Sequence, residues 1–381
     1  MTFSRLHKLH AAGQSVWLDN IDRTMLASGA LARQIAADAL TGQTSNPTIF
    51  EKALAQGTAY DAQLAAAPDG QASAQLFESV AADDVRAACD LFRDIYAQSG
   101  GVDGYVSIEV SPTVANDAAG TIEEAHRLWQ LVNRPNVMIK VPGTEEGAKA
   151  IRRLIADGLN VNVTLLFAVE AYRRVIDAYL AGLEDRLAAG GDLRHVASVA
   201  SFFISRVDSE VDARLDALIA QADDAGRTRL GALKGKAAIA NAKLAYALFQ
   251  KQFSGARWEV LRAHGAHVQR PLWASTSTKN PAYRDVLYVE ELIGPDTVNT
   301  MPPATIVAFQ DHGEVARTVD AGLDQARAVL QALASEGIGM ASVTDKLLAE
   351  GLASFQKSFD TLLAGLEGKL RSLGRVPAAT V

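Results

Sequence analysis

Cysteine occurs once in the 381 residues, at Cys89, so no disulfide can form within the chain. Its surroundings, Val85-Arg-Ala-Ala-Cys-Asp-Leu-Phe92, read as a helix in which the thiol is buried for packing. A chain without disulfides suits the cytoplasm. Long apolar runs are also missing. No stretch reaches the ~20 residues of a membrane-spanning helix. The first residues, Met1-Thr-Phe-Ser-Arg-Leu-His-Lys-Leu-His10, lack the apolar core of a secretory signal. Positive charge is scarce: 37 Lys and Arg face 44 Asp and Glu, a net charge of −7. A nucleic-acid surface is normally basic, so neither nucleic acid nor membrane is expected as a partner. An anionic substrate would have to rely on a few local cations. The histidines (His7, His10, His126, His195, His264, His267 and His312) are scattered, without HxH, HExxH or a Cys/His cluster. No metal and no cofactor is expected. Internal repeats and the glycine-rich phosphate loops GxGxxG and GxxxxGK[ST] are absent as well.

What is present is a large apolar fraction, 49 %, with 21 % charged residues, enough for a sizeable core. Eight extended stretches alternate with helical patterns. They lie at Ser15–Ile21, Gly42–Thr48, Gly104–Val110, Asn136–Val141, Asn160–Phe167, Val196–Phe203, His267–Ser275 and Thr297–Pro303. This alternation predicts a (β/α)₈ TIM barrel, an α/β fold, as a single domain over 1–381. Helical insertions are expected at about 51–98 and 204–264, the latter broken near Gly226 and Gly231. C-terminal helices are expected at about 314–370, with a loose tail after Leu373. Thr121 and Glu124 have capping-box spacing for a helix start. A doubly wound open sheet is the structural alternative, and the missing phosphate loop speaks against it.

The stretch Asn136-Val-Met-Ile-Lys-Val-Pro-Gly143 sets Lys140 among apolar strand residues. Lysine is rarely buried without a reason. Burial disfavours the charged form of an amine, and a neutral amine attacks carbonyls. A lone lysine at a strand end more often snorkels to water. Here other polar residues stand at strand ends, spaced two apart and therefore on one face: Thr44 and Asn46, Ser107 and Glu109, Asn162 and Thr164, with Ser201 and Phe203 in the sixth strand. Asp19 ends the first. In a barrel those ends form one rim. An amine, carboxylates for proton transfer, and amides and hydroxyls for a polyol suit Schiff-base chemistry on a ketose.

The motifs SVWLDN at Ser15–Asn20, Thr44-Ser-Asn-Pro47, Ser107-Ile-Glu109, VMIKVPG at Val137–Gly143, Asn162-Val-Thr-Leu-Leu-Phe167 and SFFISR at Ser201–Arg206 resemble, in order, those of the transaldolase family. The longer members with extra helices match best, and the likeness runs from about residue 15 to 310. The resemblance implies a pentose-phosphate enzyme that moves a dihydroxyacetone unit between phosphorylated sugars, such as sedoheptulose 7-phosphate or fructose 6-phosphate as donor and an aldose phosphate as acceptor. It implies that Lys140 forms the Schiff base and Asp19 takes the C4 hydroxyl proton. Glu109 and Thr164 would handle a water. Asn46, Asn162 and Ser201 would hold the dihydroxyacetone unit, supported by Thr44 and Ser107, and Arg206 would bind phosphate. Short members carry an arginine after the seventh strand. This chain has Ala274-Ser-Thr-Ser-Thr-Lys-Asn280, so Lys279 with Ser275 and Ser277 is expected there, helped by helix-initial amides near Asn280-Pro281. Phe203 stands where release-type aldolases resemble one another in having tyrosine. The alternatives are a fructose-6-phosphate aldolase-like lyase, a deoxyribose-phosphate-aldolase-like lyase and a catalytically silent barrel. A monomer or homodimer is expected.

Overall fold

Eight parallel strands close on themselves, each hydrogen-bonded to the next and the last to the first. They are β1 (Gln14–Asp19), β2 (Leu40–Thr44), β3 (Val106–Glu109), β4 (Val137–Pro142), β5 (Val161–Leu166), β6 (Ser198–Phe203), β7 (Arg270–Ala274) and β8 (Thr297–Met301). The computed structural model describes residues 4–55 and 57–375. Parallel neighbours require crossovers, and helices supply all of them. The result is the expected (β/α)₈ barrel. Its strands are covered on both sides, which is why they read as apolar runs.

One strand face points to the helices and the other into the barrel. Asn162 Nδ2 of β5 donates to Ser107 Oγ of β3 at 2.9 Å, reaching past β4. Only inward-facing side chains can do this. Trp17 also fills the interior, over Gly42: a Cβ at Gly42 would lie 2.6 Å from the indole. The indole N–H donates to Asp103 Oδ1 at 2.7 Å. Arg270 lies 3.6 Å from the same carboxylate and donates to Ser15 Oγ at 2.7 Å. This buried polar plug closes the N-terminal end of the barrel and leaves the other end for chemistry.

Several helix boundaries differ from the sequence expectation. The first inserted helix, Pro47–Ala55, starts inside the expected extended stretch Gly42–Thr48 and before the expected residue 51, because the missing N–H of Pro47 costs nothing in a first turn. The region to residue 98 continues as Asp61–Ala65, Ser73–Leu91 and Arg93–Gln98. The capping box is not formed. Asp117 caps the helix Ala118–Val132 by accepting from Gly120 N–H, while Thr121 donates to Val114 O and Glu124 accepts from Ser111 N–H. Residues 204–264 form Ser205–Ile219, Asp224–Gly231, Ala237–Gln252 and Ala256–Ala263. Gly226 lies inside the second of these, where its N–H reaches the capping Asp223 at 2.8 Å, and Gly231 ends it. An aspartate cap overrides the cost of a first-turn glycine.

A further helix, Pro303–His312, follows β8 directly. Residues 314–322 are not helical as expected, and Thr318 ties that segment to Glu290 O and Ile293 O. The C-terminal helices are Leu323–Ser335 and Met340–Ser372. The longer one runs across the C-terminal end of the barrel, where Thr48 and Ser358 share a 2.8 Å hydroxyl contact. The expected tail after Leu373 begins bound: Arg375 Nε donates to Ala65 O at 2.6 Å. From residue 376 it lies outside the described residues, as do residues 1–3. Cys89 is fully buried, as expected, and burial pushes its thiol up.

Candidate active site

Strand register brings the central groups together. Lys140 pairs laterally with Glu109 on one side and Asn162 on the other. Its amine donates to Ser45 O at 3.0 Å and lies 3.3 Å from Glu109 Oε2. Both side chains are about 6 % exposed. Burial raises the Glu109 carboxyl above its usual range, the Lys140 charge opposes that rise, and Asp19 adds to it. Glu109 is thus poised to accept a proton from the amine it faces and to return it.

Asp19 is held by Thr44, whose hydroxyl donates to Asp19 Oδ1 at 2.9 Å. Asn46 Oδ1 accepts from Ile49 N–H at 2.9 Å, capping the helix that Pro47 begins. Its amide NH₂ remains for a ligand. Ser201 donates to Asn162 Oδ1 at 2.7 Å, and Asn162 in turn to Ser107. This chain of hydrogen bonds fixes the plane of the Asn162 amide between two hydroxyls. Among the described residues, Thr164 Oγ1 is buried without a hydrogen-bond partner. A buried hydroxyl without a partner is costly, and this one faces the cavity beside Lys140. The next residue, Leu165, has φ +57°, a strained conformation for leucine that interrupts the β5–β6 register.

A cavity of about 370 Å³ opens here. It is lined by the predicted Asp19, Thr44, Asn46, Lys140, Thr164 and Ser201, and by Phe203, Arg206, Ser275, Ser277 and Lys279. Glu109, Ser107 and Asn162 are not on its wall; they stand behind it and hold the groups that are. Phe203 packs on Phe167 with ring centres 5.2 Å apart, and the Arg206 guanidinium lies 5.2 Å over the Phe203 ring. Arg206 enters in the first turn of Ser205–Ile219, directly after β6. Lys279 donates to Ser277 Oγ at 2.8 Å, and the Ser275 and Ser205 hydroxyls meet at 2.9 Å. No helix starts at Asn280-Pro281: the Asn280 side chain takes the Ala282 N–H in a turn, and the next helix is Leu287–Glu290. That expected amide contribution is therefore corrected.

The electrostatics favour an anion. Burial lowers both Arg206 and Lys279, and Arg206 further lowers Lys279, while Asp19 opposes both shifts. Among the described residues neither cation has a carboxylate within ion-pair distance. Two neighbouring cations without an ion-pair partner among the described residues suit a phosphate dianion. Sequence reasoning missed Ser45, Lys52, Thr300 and Phe355, which complete the site. Ser45 acts through its backbone carbonyl, and Lys52 looks like any exposed helix lysine. Phe355 arrives from the terminal helix, far along the chain. Among the described residues, no group of three or more His, Cys, Asp or Glu is placed to hold a metal ion, and no helix is long and apolar enough to cross a membrane.

Comparison with known proteins extends this picture. The family model described as "Transaldolase/Fructose-6-phosphate aldolase" matches residues 16–366. The chain is 48 % identical to "Transaldolase 2" of Nostoc sp., over 99 % of this chain and 100 % of that protein. It is 50 % identical to "Transaldolase" of Thermobifida fusca, over 94 % and 96 % of the two chains. It is 46 % identical to "Transaldolase" of Trichodesmium erythraeum, over 98 % and 99 %.

Proposed function

The chain belongs to the transaldolase/fructose-6-phosphate aldolase family, and from that premise we propose that it is a transaldolase whose Schiff base forms on Lys140. It is a transferase of the pentose phosphate pathway. It moves a dihydroxyacetone unit from a ketose phosphate, sedoheptulose 7-phosphate or fructose 6-phosphate, to glyceraldehyde 3-phosphate or erythrose 4-phosphate. We place it in the cytoplasm, as a monomer or homodimer.

The observation that carries this reading is the Lys140 amine, buried beside Glu109 at the floor of a cation-lined cavity. The amine adds to the C2 carbonyl, and the carbinolamine loses water. Glu109 gives the proton that lets hydroxide depart, and Thr164 holds the departing water with its unused hydroxyl. Asp19 then takes the C4 hydroxyl proton, the C3–C4 bond breaks, and its electron pair enters the imine to give an enamine. The aldose phosphate leaves. The enamine attacks the aldehyde of a second aldose phosphate, Asp19 returns the proton, and water releases the new ketose. Asn46 and Ser201 hold the hydroxyls of the three-carbon unit, and the Asn162–Ser107 chain supports them. Arg206 and Lys279, with Ser275 and Ser277, take the phosphate. Phe203 puts an apolar ring beside the enamine, where an ordered water would protonate it. That supports transfer over release.

The test is reduction with borohydride in the presence of fructose 6-phosphate, followed by peptide mass spectrometry. A reduced adduct on Lys140 is expected. No adduct, or an adduct on another lysine, would remove the proposal.

A further inference from the structure

Arg206 and Lys279 lie on different elements, and their charges repel. Arg206 is on the helix Ser205–Ile219, and Lys279 is on the segment that leaves β7. Something must hold that segment against the helix. No ion pair joins the two elements among the described residues. Ser205 bonds Ser275 at the start of the helix through its hydroxyl and its backbone N–H, and farther along two carboxylates one turn apart on one helix face extend the attachment to the residues beyond Lys279. Asp208 is 1 % exposed and Asp212 7 %. Tyr288 donates to Asp208 Oδ2 at 2.8 Å, and Ala238 N–H to Oδ1 at 2.8 Å. Tyr283 donates to Asp212 Oδ2 at 2.5 Å, and Gly235 N–H to Oδ1 at 3.0 Å.

Every oxygen of the two carboxylates is engaged, and among the described residues no cation is one of their partners. Buried anions held only by neutral donors are expensive, and an apolar contact would serve packing alone. Their donors are directional, which packing is not. Burial and the adjacent carboxylates keep both tyrosine hydroxyls protonated as donors. The fit is close: Gly235 has φ +67°, and a Cβ there would fall 2.7 Å from the Tyr283 ring. Tyr283 stands four residues past Lys279, and Asp208 two past Arg206.

We propose that the Tyr283–Asp212 and Tyr288–Asp208 pairs are positioning residues that set the spacing of Arg206 and Lys279 for the phosphate of the sugar substrate. This rests on the phosphate reading above. The pairs touch no substrate; they act through the two cations.

The test uses Tyr283→Phe, with Tyr288→Phe as a second variant, in the full chain. Each removes one hydroxyl and keeps the ring. A hydrogen bond to a charged group carries a net effect of about ten- to a hundredfold in an equilibrium, and the two cations feel part of it, so KM for fructose 6-phosphate should rise about tenfold with kcat within about twofold. Inhibition by inorganic phosphate should weaken in parallel. Borohydride trapping with unphosphorylated dihydroxyacetone should not change. Combining Tyr283→Phe with Asp212→Asn should add little to the single change, since both break one contact. Unchanged KM and phosphate inhibition in folded variants would overturn the proposal, as would equal weakening of phosphate and dihydroxyacetone. Arg206→Gln and Lys279→Gln separate the two levels. If they abolish phosphate inhibition while the tyrosine variants do not affect it, the positioning role alone fails. If they leave it intact, the phosphate reading fails, and the proposal falls with it.

Discussion

Lys140→Met is the most informative single change. It removes the amine and keeps a side chain of similar length. No Schiff base can form, so trapping and transfer should vanish. The structural consequence is less obvious. Glu109 loses the cation 3.3 Å away, and Ser45 O loses its donor. With both side chains about 6 % exposed, bulk water cannot replace the lost charge. Removing one partner of a buried pair costs about 3–5 kcal/mol. Glu109 has an escape: it can take up a proton and become a neutral acid.

That escape fixes a pH signature. Burial already raises the Glu109 carboxyl, and Lys140 is the main force holding it down. Without Lys140 it rises further above its unfolded value of ~4.3. A carboxyl raised on folding binds protons more tightly in the folded state. Its favourable contribution is complete below the unfolded value and is lost as pH climbs through the folded one. Each unit crossed is about 1.4 kcal/mol. The variant should therefore be less stable than the parent by about 3 kcal/mol at pH 8, narrowing to about 1 kcal/mol at pH 5. Urea or thermal midpoints of both proteins between pH 5 and 8 measure this. A stability difference that stays constant with pH would refute the argument, since Glu109 would then not be the group left exposed by the loss.

Asp19→Asn should slow C3–C4 cleavage by a factor of about 10² to 10⁴ while leaving borohydride trapping nearly intact; a matched loss of both would make Asp19 an orienting residue. Phe203→Tyr should raise release of free dihydroxyacetone from fructose 6-phosphate and lower transfer, because a phenol hydroxyl can order a water near the adduct. Product partitioning with and without an acceptor reads this, and an unchanged ratio would clear Phe203 of any control over water. Gly42→Ala should destabilise the fold by about 1–3 kcal/mol, since its methyl would meet the Trp17 indole at 2.6 Å and disturb the bond to Asp103. An unaffected denaturation midpoint would show that the barrel interior yields there.

Much of this protein was legible in its residues because strand geometry is periodic and local. Alternation by two puts Ser107 with Glu109 and Asn162 with Thr164, and a strand end in a barrel is a rim, so the eight strands and the rim groups follow from spacing. Helix limits were less legible, because capping is decided by single side chains: Asp117 outcompetes Thr121, and Asp223 carries a helix through Gly226. Other features have no local signature at all. The carbonyl of Ser45 bonds Lys140 only because β2 and β4 lie on the same interior. The buried Asp103–Arg270 pair joins residues far apart in the chain. Phe355 reaches the cavity because the terminal helix crosses the barrel mouth, and Asp212 meets Tyr283 because a loop folds back on a helix. The sequence by itself determined which groups were available and which face each would take, since both are set by chemistry and backbone period. Only the tertiary structure decided which of them touch, because contacts between distant segments depend on how the barrel closes and not on any residue's neighbours in the chain.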